Sequence, residues 1–193
     1  MTDAEIIDRI NGGDRNLYRL LVERYQPNVF RTCMGFLHNK DDADDLTQDI
    51  FIQTYQTLTG YKGDSSFSTW IYRISVNACL NKIRKSSKSS FLQRFENVFG
   101  SEKNIEYSFP ASEAENPEAL LINTEQKEWV ERALNSLPEK QRIAIVLSKY
   151  DDLSQKEIAE IMETTEGAVE ALIQRAKANL REKLSSFYKK KKK

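Results

Sequence analysis

Four aspartates stand together in the stretch DDADD, and their spacing allows two kinds of chemistry. Asp41, Asp42 and Asp45 fit the DDxxD pattern that holds magnesium in prenyl-transferring enzymes. Such enzymes need a deep apolar cavity and a second metal-binding cluster, and nothing later in the sequence supplies either. The simpler interpretation is that Asp41, Asp42 and Asp44 favour a helix N-terminus electrostatically, so no metal site is predicted. The helix then presents a polar face to a basic protein partner, formed by Asp45, Gln48, Asp49, Gln53 and Gln56.

A second group of residues has the chemistry to hold a nucleic-acid base outside its stack. The loop from Gly63 to Ser66 supplies backbone donors, hydroxyls and one carboxylate, and Phe67 and Trp70 follow at the start of a helix. Extruding a base costs a few kcal/mol. Stacking returns about 1–3 kcal/mol per base, so hydrogen bonds from the loop must supply the rest. In the alternative interpretation Phe67, Trp70 and Ile71 all lie in the core and the loop is only a solvated turn.

Basic residues concentrate in the segment that follows this loop. Residues 60–95 carry seven lysines and arginines against one acid, although the whole chain has a net charge of zero. A basic block of this kind favours a polyanionic partner. Asn77, Asn81 and Arg84 lie at i, i+4 and i+7, so they share one face of the helix.

The stretch LSQKEIAEIMETTEGAVEALIQRAKANL has the spacing of two helices joined by a tight turn, which is typical of a helix-turn-helix. Thr164 or Thr165 can cap the second helix, whose N-terminal N–H groups then face a phosphate. Glu163 stands where such a turn often has glycine, and a left-handed residue there costs roughly 1 kcal/mol or more. A plain helical hairpin has the same periodicity and remains an alternative. The apolar positions that set the spacing are Ile158, Ala159, Ile161, Val169 and Ile173.

These residues must be positioned by helices, because nearly every periodic segment has the helical period and no convincing strand pattern occurs. The predicted fold is all-α, with two small helical domains joined by a flexible linker. Thr2-Asp3-Ala4-Glu5 has the form of a capping box, and so has Ser154-Gln155-Lys156-Glu157. The predicted long helices cover about Leu17–Phe36, Ala43–Leu58, Phe67–Lys85, Ala119–Leu137, Glu139–Tyr150, Ser154–Met162 and Glu166–Leu184.

The domain boundaries follow from a weakening of the pattern after Ser86. We expect a first domain over residues 1–90, a linker over 91–117, a second domain over 118–188 and a lysine tail over 189–193. Phe91, Phe95 and Phe99 repeat at helical spacing, which indicates either a short helix packed on the first domain or a docking strip for a partner.

Composition predicts a soluble globular protein of the cytoplasm. Hydrophobic residues make up 39% and charged residues 30% of the 193 residues. No apolar run reaches the ~20 residues that cross a bilayer, and the N-terminus lacks the pattern of a signal peptide. Cys33 and Cys79 each lie in a helical apolar pattern, so we interpret them as core residues in a reducing compartment.

From about Asp14 to Leu184 the chain resembles the extracytoplasmic-function group of bacterial sigma factors. DDADDLTQDIFIQTY is similar to the family helix that docks on the clamp of RNA polymerase. YKGDSSFSTWIYRISVNACLNKIRK is similar to the promoter-melting segment. LNSLPEKQRIAIVL and the helix-turn-helix stretch are similar to the second domain. The four segments follow one another in the family order and at the family spacing.

The resemblance implies a protein that binds core RNA polymerase, recognises two promoter elements and helps to open the duplex. It implies no catalysis and no cofactor, and an anti-sigma protein is a usual partner in the family. The implied polymerase-binding residues are Asp45, Leu46, Gln48, Asp49, Gln53 and Gln56. The implied contacts to the minus-ten element are Lys62, Asp64, Ser65, Ser66, Phe67, Trp70, Arg73, Asn77, Asn81, Lys82, Arg84 and Lys85. The implied contacts to the minus-thirty-five element are Lys156, Thr164, Thr165, Glu166, Gly167, Glu170, Ala171, Gln174, Arg175 and Lys177.

One departure from the family concerns the recognition helix. Glu170, Ala171 and Leu172 stand where the family commonly has a basic residue, a serine and an arginine. A glutamate can accept a hydrogen bond from cytosine and an alanine can touch a thymine methyl, so a different and weaker readout is predicted. Two other classes remain open here: a helix-turn-helix repressor, and an interaction protein without promoter specificity.

Overall fold

The computed structural model describes residues 1–99 and 128–191 of the chain, and no strand occurs in these two ranges. The predicted all-α class is therefore confirmed. Short 3-10 turns cover Arg15–Leu17 and Leu58–Gly60. The helices of the first domain are α1 Asp3–Asn11, α2 Tyr18–Leu37, α3 Lys40–Thr57 and α4 Phe67–Phe99. Those of the second domain are α5, which includes residues 128–135, α6 Glu139–Tyr150, α7 Gln155–Met162 and α8 Glu166–Lys191.

Local signals in the sequence set several helix ends as predicted. The Thr2 side chain accepts from the backbone N–H of Glu5, whose carboxylate accepts from the Thr2 N–H, and Gly12 ends α1. Ser154 and Glu157 form the same reciprocal pair at the start of α7. Both predicted capping boxes are confirmed, because they satisfy backbone donors that a helix N-terminus leaves without partners.

Helix α4 is longer than predicted. It was expected to end near Lys85 and instead runs to Phe99, past the expected domain boundary at residue 90. The backbone of Phe91, Phe95 and Phe99 is part of this helix, while their side chains lie outside the described residues. Residues 100–127 and 192–193, and with them most of the predicted linker and the end of the lysine tail, also lie outside.

The first domain packs α2 against both α3 and α4 around a core that includes the two cysteines. Cys33 and Cys79 are fully buried free thiols whose Sγ atoms are 3.8 Å apart. They contribute to the core as predicted. Tyr55 and Val130 have large hydrophobic side chains that fit the helical apolar pattern, yet they are 38% and 43% exposed.

The two domains pack against each other, which the sequence did not predict. α2 contacts α6 and α4 contacts α7, and the buried side chains of both domains join in one hydrophobic cluster. Gly35 of α2 allows the closest approach, since a Cβ there would lie 2.7 Å from Val146 Cγ1 and 2.9 Å from Tyr150 Cγ. Across the same contact the Thr32 hydroxyl lies 2.8 Å from the buried carboxylate of Asp151.

Candidate polymerase and promoter DNA interfaces

Helix α3 places most of the predicted polymerase-binding residues on its solvent side. Their side chains are exposed because the opposite side of α3 carries Ile50 and Phe51 into the core. Leu46 is a correction: it is only 8% exposed and packs in that core, so it is unavailable for direct contact. The exposed members are Asp45, Gln48, Asp49, Gln53 and Gln56.

An apolar groove adjoins this polar face, and sequence reasoning missed it. Ile52 is 57% exposed, and Tyr55 packs on Tyr18 of α2 with ring centroids 4.9 Å apart. Together with Val22 and Phe51 they line an open groove of about 530 Å³, with Arg15 and Arg19 at its rim. Ile52 lies three residues after Asp49 and four before Gln56, so helical spacing alone could have placed it on the polar face.

The predicted base-binding loop borders a second opening. Asp64 is exposed, and the Tyr61 hydroxyl donates to the Ser65 carbonyl oxygen at 2.6 Å, which holds the loop over α1. The space between loop and helix is about 340 Å³ and is lined by Ala4, Ile7, Asp8, Asn11, Tyr61, Lys62, Gly63, Ser65 and Ser66.

Two residues of this loop region have structural roles that bear on the prediction. The Ser66 Oγ accepts from the Thr69 N–H at 3.1 Å, so this hydroxyl caps α4. Phe67 is 2% exposed and makes an edge contact with Tyr25 in the core, which corrects its expected place beside a base. Trp70 is half-buried, and its ring centroid lies 5.1 Å from that of Tyr61. Part of the Trp70 side chain therefore remains accessible to a base.

The basic side chains of α4 meet acids contributed by other helices. Lys82 Nζ lies 2.6 Å from Asp42 Oδ1 of α3. Arg84 Nη2 lies 2.6 Å from Glu139 Oε2 at the start of α6. Asn77, Asn81 and Lys85 are exposed, as is Lys62 in the preceding loop.

Arg73 reaches the turn of the helix-turn-helix itself. Its guanidinium lies 3.0 Å from Glu163 Oε1 and donates to the Glu160 carbonyl oxygen at 2.8 Å. The sequence of α4 contains few acids, and the partners of its bases come from segments far along the chain. Charge counts within one segment could not reveal these pairs.

The predicted helix-turn-helix consists of α7, a short turn and α8. Glu163 adopts the left-handed conformation with φ 52°, as the spacing of the turn required. The Thr165 Oγ1 accepts from the Ala168 N–H at 3.2 Å and caps α8. All ten residues predicted to meet the minus-thirty-five element are exposed. This surface carries the bases Lys156, Arg175 and Lys177, but also the acids Glu160, Glu163, Glu166 and Glu170.

Comparison with known proteins identifies the family. The family models for sigma-70 region 2 and sigma-70 region 4 match residues 21–89 and 127–180. The ECF RNA polymerase sigma-E factor of Escherichia coli K12 is 36% identical over 180 residues, covering 92% of this chain and 91% of that protein. The chain belongs to the extracytoplasmic-function (ECF) RNA polymerase sigma factors. RNA polymerase sigma-H factor of Pseudomonas aeruginosa is 30% identical over 91% of this chain and 90% of its own length.

Solved structures show the same fold. CnrH, in complex with the cytosolic domain of CnrY, is 24% identical with a TM-score of 0.63 over 95% of this sigma factor and 97% of that chain. The sigma factor RpoE of Bartonella quintana, in complex with the anti-sigma factor NepR, is 22% identical with a TM-score of 0.57. That similarity covers 87% of this chain and 96% of RpoE.

Membership defines what this ECF sigma factor does. It directs RNA polymerase to promoters, and its partners are the core polymerase and promoter DNA. Within the described residues no helix is long and apolar enough to cross a membrane.

Proposed function

We propose that this sigma factor binds core polymerase through the exposed face of α3 and opens the promoter with the loop before α4. The observation that carries the proposal is the 340 Å³ opening between that loop and α1, beside the Tyr61–Trp70 pair and at the start of a basic helix. A base that leaves the stack can enter such a space, accept hydrogen bonds from the loop and stack on an aromatic ring.

Transcription of fragmented genomic DNA tests this function directly. Core polymerase with the sigma factor should start transcripts at a small set of sites that share two upstream elements. Core polymerase alone provides the control. Start sites that are the same with and without the protein would contradict the proposal.

For the polymerase face, we propose that polar and apolar contacts act together. Asp45 and Asp49 offer charge to a basic partner, while Ile52 and Tyr55 offer an apolar anchor in the adjoining groove. Protein interfaces commonly combine a buried apolar centre with a polar rim, and the rim charges chiefly steer association.

Reversing two charges on this face should weaken binding to core polymerase. We expect Asp45→Lys with Asp49→Lys to lower the affinity at least about tenfold, since close interfacial charge pairs couple by about 1.5 kcal/mol or more. Both residues are exposed, so the fold should persist. Fluorescence anisotropy of labelled protein with core polymerase measures the affinity.

A matched control is Glu170→Lys with Glu182→Lys, which changes the net charge equally at exposed positions on α8, outside the face. Equal affinities of the two double variants would contradict the assignment of the face to polymerase.

For the minus-ten element, we propose that the loop residues hold the base and that the basic side chains of α4 hold phosphates. Asp64, Ser65 and the Ser66 backbone supply the hydrogen bonds. Arg73 and Arg84 supply charge along one side of α4, with Asn77 and Asn81 between them. Phosphate contacts fix position, and the base in the loop supplies the sequence preference.

For the minus-thirty-five element, we propose a weak readout by α8. Gln174, Arg175 and Lys177 supply donors, while Glu166 and Glu170 repel phosphates near the helix N-terminus. Promoter choice then depends mainly on the first domain.

We propose further that an anti-sigma protein binds this factor in the cytoplasm and that the chain catalyses no reaction. The support is the fold similarity to sigma factor RpoE, which was crystallised with the anti-sigma factor NepR. An anti-sigma protein should compete with core polymerase for the factor, and gel filtration of the three-component mixture measures that competition.

A further inference from the structure

The DNA-facing side of α4 is the side that packs on the second domain. α4 contacts α7, and a small space of about 260 Å³ between them is lined by Arg73, Asn77, Glu139, Lys140 and Glu163, among others. Arg73 and Asn77 belong to the proposed minus-ten surface, and Glu163 lies in the turn of the helix-turn-helix. DNA therefore cannot reach the whole length of α4 while this contact persists.

At this contact, carboxylates of the second domain bind the two arginines that we propose bind DNA phosphates. Glu163 Oε1 lies 3.0 Å from Arg73 Nη1, and Glu139 Oε2 lies 2.6 Å from Arg84 Nη2. An arginine guanidinium binds carboxylate and phosphate with the same donors, so one group excludes the other.

We propose that the second domain masks the minus-ten face of the first, with Glu139 and Glu163 occupying the phosphate positions on Arg84 and Arg73. Promoter DNA then binds only after the two domains separate. The proposal rests on the assignment of these arginines to DNA under the proposed function.

The ion pairs determine which side chains meet across the domain contact. Apolar packing supplies most of the free energy that keeps the two domains together. Glu163 and Arg84 are largely exposed, and exposed pairs contribute only about 0–1 kcal/mol each. The contact of α2 with α6 at Gly35 is buried and closely packed. A change at Gly35 should therefore open the domains more effectively than a change of charge.

Gly35→Ala adds one methyl group at the closest point of the contact between α2 and α6. The added methyl would lie 2.7 Å from Val146 Cγ1, which is closer than two carbon atoms can approach. Within α2 the same change raises helix propensity by about 1 kcal/mol, so the first domain should keep its fold. Gly60→Ala is the matched control, because nothing lies within 4 Å of its added methyl.

Binding of the free protein to fluorescent oligo(dT) measures the accessible basic face, since phosphate contacts do not depend on sequence. If about a tenth of the parent is open, Gly35→Ala should tighten binding up to about tenfold, and Gly60→Ala should leave it unchanged. Glu139→Gln with Glu163→Gln should also tighten binding. Glu128→Gln with Glu182→Gln removes the same charge at positions away from α4 and should tighten it less.

A cross-link provides the reverse test and does not depend on the fold of Gly35→Ala. Arg31→Cys with Asp152→Cys places exposed thiols on the two sides of the α2–α6 contact, because Arg31 Nε lies 3.8 Å from Asp151. A bis-methanethiosulfonate reagent joins them, and a reductant releases them. The locked form should bind oligo(dT) several-fold more weakly than the same sample after reduction.

Equal affinities before and after reduction would overturn the masking proposal. The assignment of the DNA face is tested separately with Arg73→Ala and Arg84→Ala in the released protein. An affinity that these changes leave unaltered would overturn the proposed DNA face, even if locking still weakens binding.

Discussion

Asp151→Asn is expected to stabilise the protein near neutral pH and to have little effect near pH 4. Asp151 follows α6 and its side chain is fully buried against α2. Burial raises its pKa to about 6, although the Thr32 hydroxyl and the Arg31 guanidinium favour the charged form. Above that pH the folded protein holds a buried carboxylate that lacks full compensation.

The hydrogen bonds around Asp151 agree with a protonated carboxyl. The Thr32 Oγ lies 3.1 Å from the Asn28 carbonyl oxygen and 2.8 Å from Asp151 Oδ2, but its single hydrogen can serve only one of them. If Asp151 is protonated, it donates to Thr32, and Thr32 donates to Asn28. An asparagine amide can donate in the same way, so Asp151→Asn keeps this chain of bonds at every pH.

The sign of the pH effect follows from the raised pKa. Between about pH 4 and pH 6 the folded state binds the Asp151 proton more tightly than the unfolded state, so stability falls as pH rises. The loss is complete above pH 6 and amounts to about 3 kcal/mol at most. Glu157 has the opposite influence, because hydrogen bonds from Ser154 lower its pKa. A comparison of two variants at each pH cancels that contribution.

Urea unfolding of the parent and of Asp151→Asn at several pH values between 4 and 8 measures the effect. The difference in unfolding free energy should grow as pH rises from 4 to about 6 and should level off above that pH. Asp152→Asn removes the same charge from the exposed neighbouring residue and controls for net charge. A difference that is constant with pH would mean that Asp151 is ionised in the folded protein throughout this range.

Signals confined to one or two turns of chain were predictable from the sequence. The capping boxes at Thr2 and Ser154, the bounds of α6 and the left-handed Glu163 all follow from spacing within a few residues. Each of these features depends on backbone groups that must find hydrogen-bond partners nearby, so the residue types at those positions indicate the feature.

Side chains on the edge between core and surface were harder to assign. Leu46 and Phe67 stand within stretches that resemble contact motifs, yet both are buried. Ile52 has the branched apolar side chain typical of a core residue, yet it is exposed beside the polar face. A family motif combines residues that touch a partner with residues that only position them, and burial distinguishes the two.

Contacts between the two domains could not be predicted from the sequence. Thr32 and Asp151 are 119 residues apart in sequence, and Asp151 looks like an ordinary loop aspartate. The acids that pair with Arg73 and Arg84 also lie in the other domain. No local rule relates such positions, because the packing of two preformed surfaces determines them.

Asp64→Ala is expected to remove most open-complex formation while leaving the fold and polymerase binding intact. Asp64 is exposed and stands in the loop between Gly63 and Ser65, which line the opening where we propose that a base enters. Losing the contacts to one base costs about 1–3 kcal/mol, which corresponds to roughly a 5- to 150-fold loss of open complex. Permanganate footprinting of melted thymines on a promoter found by transcription measures the open complex.

Two comparisons decide what such a loss means. Ser66→Ala removes a hydroxyl that caps α4, so it should also lower stability by about 1 kcal/mol, whereas Asp64→Ala should not. Glu170→Ala tests the other domain and should change melting little, because the acids in the first two turns of α8 leave its N-terminal end a weak contributor to promoter choice. Strong melting by Asp64→Ala, together with its loss in Glu170→Ala, would place the sequence preference in α8 and leave the loop without a role in capture of the base.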